Sequence, residues 1–192
     1  MRALVLHGWQ NHRPAGHWQA HLARRLADAG HDVAYPQLPR ADTPDVDRWL
    51  EVLERHLVEG TVDLVVCHSL ACLLWVRAVE TGLVGGATVV GRLVLVAPVA
   101  TAVVLGHPEI AAFAPSGPWP DLAPGSRHRP CLVRSDDDPY SPHGLAAELA
   151  QQSTVDEVVL PGQAHLDLTA GYGAWPSLER WCLTGSGAIS PR

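Results

Sequence analysis

The sequence predicts an α/β fold, a mainly parallel sheet of about six strands with helices on both faces. Strand-like and helix-like segments alternate along the chain, the pattern of β–α–β units. The strand-like segments are continuous Val/Leu runs rather than apolar–polar alternations, as expected where helices cover both faces of a sheet. The segments between them repeat apolar residues at helical spacing.

The strands read as Arg2–His7, Asp32–Tyr35, Val62–Cys67, Arg92–Ala97, Cys131–Ser135 and Val155–Leu160. Between the first two, Trp18, Leu22 and Leu26 recur every fourth residue, and Gly30 is placed to end that helix. The second helix opens with Thr43 as cap and Pro44 in its first turn. It carries Val46, Trp49, Leu50, Leu53 and Leu57 on one face and stops at Gly60. A third runs from the residues after Cys67 to Thr81-Gly82, a fourth starts at Ser141-Pro142, and a last covers Pro176 to Leu183. Residues 98–130 hold seven prolines and predict little regular structure beyond a short turn near Pro108–Phe113. Long unpatterned connections of this kind are often functional.

At 192 residues the chain fits one domain, residues 1–184, followed by a flexible tail over 185–192. Apolar residues make up 47% and charged residues 18%, the balance of a globular chain with a sizeable core. A net charge of -6 without a basic stripe argues against a nucleic-acid partner. No apolar run approaches the roughly 20 residues that span a bilayer. Met1–His7 turns polar too soon for a signal peptide and reads as the first strand. The chain has no lysine, which removes Schiff-base chemistry and a Ser–Lys pair. Its four cysteines, Cys67, Cys72, Cys131 and Cys182, form no CxxC pair and lie in apolar segments, which fits a reducing, cytoplasmic setting.

The chemistry is concentrated in Asp63–Val76, DLVVCHSLACLLWV, where a strand passes into a helix through Cys67-His68-Ser69-Leu70-Ala71. Small-x-nucleophile-x-small between strand and helix is the pattern of a nucleophile elbow, whose tight turn demands small residues two places either side of the nucleophile. Cys67 and Ala71 fill those places, where glycine is usual. A serine needs a base to take its proton and an acid to orient the base. Asp136-Asp137-Asp138-Pro139-Tyr140 leaves the strand Cys131–Ser135, and Pro161-Gly162-Gln163-Ala164-His165 leaves the next one. Ser69, an Asp and His165 thus follow in order from strand ends, at the edge where an open α/β sheet places its site. Only one of three consecutive Asp can hold the imidazole, and the other two read as a solvated turn. His68 reads as structural. Donors for an oxyanion are expected from the N–H of Leu70 and from the loop after the first strand, with Trp9 preferred and Gln10 second.

These residues give the chain a family likeness. Leu6-His7-Gly8-Trp9-Gln10 with His17-Trp18, the elbow Cys67–Ala71, Asp137-Asp138-Pro139-Tyr140, Ala164-His165 and the proline segment Phe113–Pro120 span most of residues 2–182. Together they resemble the small single-domain serine hydrolases of the YdeN and retinoblastoma-binding-protein-nine type, within the α/β-hydrolase superfamily. The resemblance implies an α/β-hydrolase-type sandwich without a large lid domain. It implies Asp138, directly before Pro139, as the acid, with Asp137 as the alternative. It also implies activity on small esters or peptide-like amides. No cofactor is expected. Cys67 departs from the family's glycine, and the Leu-x-Cys-x-Glu partner motif of the namesake is missing.

Three other readings compete. Cys67 and Cys72 are the alternative nucleophiles, but neither occupies the tip of the turn. His17 and His21 are spaced i, i+4 with His12 nearby, yet no carboxylate or thiol completes a metal shell, and no metal is expected. A binding module on a hydrolase scaffold is the third. For the substrate pocket, Gln10, Phe113 and Trp119 are candidates. Val103, Val104, Leu105, Ile110, Phe113 and Trp119 either line an acyl pocket or pack on the core as the underside of a loop.

Overall fold

A computed structural model describes residues 1–145, 148, 149, 152 and 154–192. Strands β1 (Arg2–Leu6), β2 (Asp32–Ala34), β3 (Leu64–His68), β4 (Arg92–Val96), β5 (Cys131–Ser135) and β6 (Asp156–Leu160) form one sheet in the order β2-β1-β3-β4-β5-β6. Every pairing is parallel. The helices are α1 (Trp18–Asp28), α2 (Val46–Val58), α3 (Leu70–Glu80), α4 (Thr101–Leu105) and α5 (Pro176–Thr184).

Alternation along each strand divides the core into two layers, because successive side chains point to opposite faces. Ala3, Val5, Leu64, Val66, Val94 and Val96 face Trp18, Leu22 and Leu26 of α1 and Leu178 and Cys182 of α5. Leu4, Leu6, Val65, Cys67, Leu93 and Leu95 face Trp49, Leu53 and Leu57 of α2 and the buried side of α3. Both sides of the central strands are therefore dry, which explains their unbroken apolar sequences.

The connection after β1 leads outward to β2, whereas the connection after β3 leads the other way to β4. The chain thus diverges between the carboxyl ends of β1 and β3. That divergence opens a crevice at the strand ends, the usual ligand position in such a sheet.

Several local readings need correction. Helix α2 is capped by Asp45, not Thr43, since the Asp45 carboxylate accepts from both Asp47 N–H (3.0 Å) and Arg48 N–H (3.1 Å). Residues 98–130 contain helix α4 and two 3-10 turns, Ala111–Phe113 and Ala123–Gly125, so they are more regular than their prolines suggest. The helix expected from Ser141-Pro142 falls partly on residues 146, 147, 150, 151 and 153, which lie outside the described residues. Ser141–Gly144 form a turn closed by Gly144 N–H to the Ser141 carbonyl. Within the tail, Ile189 is buried, and the Ser190 carbonyl accepts from Trp175 Nε1 and Ser177 Oγ, each at 2.7 Å. A single apolar plug followed by one carbonyl leaves no periodic trace in sequence.

Candidate active site

Ser69 joins β3 to α3 in a conformation that a side chain rarely adopts, φ 57° and ψ -124°. Such a positive φ costs about 1–3 kcal/mol and persists only where the surroundings impose it. Here the Ser69 N–H donates to the Val96 carbonyl (2.9 Å), and the Ser69 carbonyl accepts from Cys72 N–H (2.9 Å). Although Ser69 stands at the helix N-cap, its hydroxyl makes no capping bond. Instead Ser69 Oγ lies 2.9 Å from His165 Nε2.

The other ring nitrogen, His165 Nδ1, lies 3.0 and 2.9 Å from the two carboxylate oxygens of Asp138. Asp138 is buried, and one of its oxygens also accepts from Tyr140 N–H (2.8 Å). The Tyr140 ring leans on the imidazole at a centroid distance of 4.4 Å. Ser69 and His165, read from the sequence, and Asp138, implied by the family resemblance, are thus joined in one hydrogen-bonded row.

Asp136 and Asp137 are not a merely solvated turn. Asp136 Oδ1 accepts from Gly162 N–H (2.8 Å) and Asp137 Oδ1 from Ala164 N–H (2.7 Å), so the three successive carboxylates grip the loop at 162, 164 and 165. Ser135 Oγ adds a bond from Gln163 N–H at 2.8 Å, a contribution no sequence signal marked. The Asp137 carboxyl is held below its ordinary value, first by Ser135 Oγ and then by the Ala164 N–H. From the opposite side, Trp18 Nε1 donates to the Leu166 carbonyl (2.8 Å) and His68 Nε2 to the His165 carbonyl (3.2 Å). This explains the His17-Trp18 pair behind the first loop: the tryptophan ties α1 to the His165 loop.

His17 and His68 line the crevice without charge. Burial lowers His17 to about 4 and depresses His68 well below 6.5, so both rings are neutral near pH 7. His17 Nδ1 accepts from Gln19 N–H (3.2 Å), capping α1, which occupies one nitrogen of the proposed i, i+4 pair. Among the described residues no group of three His, Cys, Asp or Glu side chains could hold a metal ion. No helix among them is long and apolar enough to cross a membrane.

Both cysteines of the elbow are fully buried, and burial pushes each thiol up. Cys67 packs in the core beneath α3, while Cys72 Sγ points at the Cys67 and Val96 carbonyls (3.6 and 3.5 Å). Neither reaches the crevice.

Leu70 is the first residue of α3, so its N–H has no intrahelical acceptor. The Gln10 N–H is engaged by the Ala41 carbonyl (2.8 Å), which removes it as the second oxyanion donor. The Trp9 N–H has no acceptor among the described residues, and Trp9 and Leu70 both line the cavity beside Ser69.

That cavity holds about 490 Å³ and is also lined by Gln10, Val99, Val103, Ile110 and the loop after His165. Phe113 and Trp119, expected in the pocket, are core residues instead. Phe113 is fully buried with its ring set edge-on against Trp49 at 5.1 Å, and Trp119 is likewise inaccessible. Of the apolar candidates Val103 and Ile110 face the cavity, Val104 is buried and Leu105 is exposed. The short helix α4 sorts Val103, Val104 and Leu105, since neighbours along a helix point to different sides.

A six-stranded parallel sheet flanked by helices, with a serine elbow after β3 and a histidine after β6, defines a protein of the α/β-hydrolase fold. The sequence family described as Serine hydrolase matches residues 3–182, and the chain belongs to that family and is a hydrolase. No curated protein matches it by sequence. Among solved structures it is similar to the ydeN gene product from B. subtilis, with a TM-score of 0.78 at 20% identity over 96% of this chain and 97% of that one. It is also similar to a YdeN-like hydrolase from Pectobacterium atrosepticum, with a TM-score of 0.68 at 23% identity over 95% and 89% of the two chains. An esterase domain from Rhodothermus marinus matches with a TM-score of 0.58 at 13% identity, over 88% of this chain and 80% of that domain. At these identities the likeness is one of fold.

Proposed function

We propose that this hydrolase cleaves small carboxylic esters, and peptide-like amides, through an acyl-enzyme on Ser69. The observation that carries the reading is the row Ser69 Oγ–His165–Asp138, with contacts of 2.9 Å on both sides of one imidazole. In this row His165 Nε2 takes the Ser69 proton as Oγ attacks the carbonyl carbon. Asp138 fixes the tautomer with hydrogen on Nδ1 and stabilises the imidazolium. The N–H groups of Trp9 and Leu70 donate to the oxyanion, and α3 directs its positive end at the same point. His165 then returns its proton to the leaving atom and activates the water that frees Ser69.

A fluorophosphonate probe and p-nitrophenyl esters of graded acyl length test this. Ser69→Ala and His165→Ala should lose labelling and turnover, on the order of a millionfold in kcat, with an unchanged circular dichroism spectrum. Labelling that survives Ser69→Ala would overturn the assignment. Folded wild-type protein with no Ser69-dependent turnover of any ester or aminoacyl amide would favour a binding module.

A further inference from the structure

The walls of the cavity differ in chemistry, and the reaction geometry assigns a part of the substrate to each. In the tetrahedral intermediate the reacting carbon carries Ser69 Oγ, the oxyanion, the leaving atom and the acyl substituent. The oxyanion turns to the N–H groups of Trp9 and Leu70, and the leaving atom must face His165 Nε2 to receive its proton. One direction remains for the acyl substituent. Val99, Val103 and Ile110 make an aliphatic wall from the segment that follows β4. Asp167 and Thr169 lie on the loop that continues from His165. Placing the acyl group against Val99, Val103 and Ile110 leaves the leaving group to the part of the cavity that Asp167 lines.

Asp167 is the cavity's unmatched charge. Its Oδ1 accepts from Ala170 N–H (2.9 Å), which shapes the loop, and among the described residues no donor engages Oδ2. No arginine or histidine forms an ion pair with it among the described residues, and no arginine lines the cavity. The chain has no lysine to supply one. The nearby His17 and His68 are neutral, so they do not offset the carboxylate.

We propose that Asp167 sets the leaving-group preference of this site, favouring esters of cationic amino alcohols and disfavouring anionic alcohols. The inference rests on the Ser69 reaction proposed above. A carboxylate within a few ångströms of a leaving group's charge, in a partly enclosed cavity, changes kcat/KM by about tenfold or more.

The test compares butyrylcholine, its uncharged isostere 3,3-dimethylbutyl butyrate and the anionic butyryloxyacetate at low ionic strength. Wild type should hydrolyse them in that order of kcat/KM, with about tenfold between cation and isostere, narrowing as salt is added. Asp167→Asn keeps an oxygen for the Ala170 N–H, and should bring the cation-to-isostere ratio close to one. Ser69-dependent turnover with no charge preference, or a preference that survives Asp167→Asn, would overturn the inference while leaving the reaction intact. Absence of Ser69-dependent turnover even on p-nitrophenyl esters would overturn the reaction itself, and this inference with it.

Discussion

A β-carbon on Gly8 would stand 2.7 Å from Ser69 Cβ and 3.0 Å from Ser69 Oγ, so the loop after β1 touches the nucleophile through a residue with no side chain. Gly8 is required here for close approach, and its neighbour Trp9 supplies the proposed oxyanion donor. Gly8→Ala should lower kcat/KM by about 100-fold through displacement of Ser69 or of the loop. Far-ultraviolet circular dichroism should stay native. Unchanged kinetics would show that the loop yields freely.

Asp138 and Asp137 differ in what they grip, and the difference is measurable. Asp138→Asn leaves the imidazole without its carboxylate and should cost about ten-thousandfold in kcat. Asp137→Asn releases only backbone and a hydroxyl, so it should remain within about tenfold of wild type. The reverse ranking would transfer the role of acid to Asp137. Because its folded pKa is depressed below 3.8, the Asp137 contribution to stability is full above that value and lost as pH falls through the folded value.

The buried histidines predict loss of stability in mild acid. His7 and His17 are both lowered to about 4 by burial, whereas the unfolded chain binds protons near 6.5. The unfolded state therefore takes up more protons between those values. Stability is full above pH 6.5 and falls by about 3 kcal/mol per group as pH drops towards 4. Urea midpoints at pH 7.5, 6 and 4.5 should decline in that order. His17→Asn, which keeps a capping acceptor for the Gln19 N–H, should decline less.

The elbow thiols should be inert in the native protein. Iodoacetamide at pH 8 should leave activity untouched, since Cys67 and Cys72 are buried with their thiols raised. Cys67→Gly restores the small residue usual at this turn. It should keep Ser69 labelling while losing about 1–2 kcal/mol of stability from an emptied core position and a more flexible strand. Rapid inactivation by iodoacetamide would contradict this.

Removing residues 185–192 should destabilise the chain. Trp175 Nε1 and Ser177 Oγ lose their shared acceptor on Ser190, and Ile189 leaves the core. An unpaired buried donor costs about 1–3 kcal/mol, which chemical denaturation can resolve. A truncated chain as stable as the full one would return these residues to the status of a loose tail.

The sequence by itself determined the sheet, the helices α1, α2, α3 and α5, and the order Ser69, Asp, His165. Unbroken Val/Leu strands, helical spacing and a turn that tolerates only small neighbours are local properties, and each leaves a local pattern. Tertiary structure decided what depends on residues distant in the chain. It brought Asp138 rather than its neighbours to the imidazole, and gave Asp136 and Asp137 the loop across β5 and β6 to hold. It buried Phe113 and Trp119 while leaving Val103 and Ile110 at the cavity, because the segment after β4 folds back on the core and turns only some of its apolar side chains to the crevice. It also engaged the Gln10 N–H with Ala41 and, among the described residues, left Asp167 without an ion pair. Such contacts join positions with no common period, so only the folded chain brings them together.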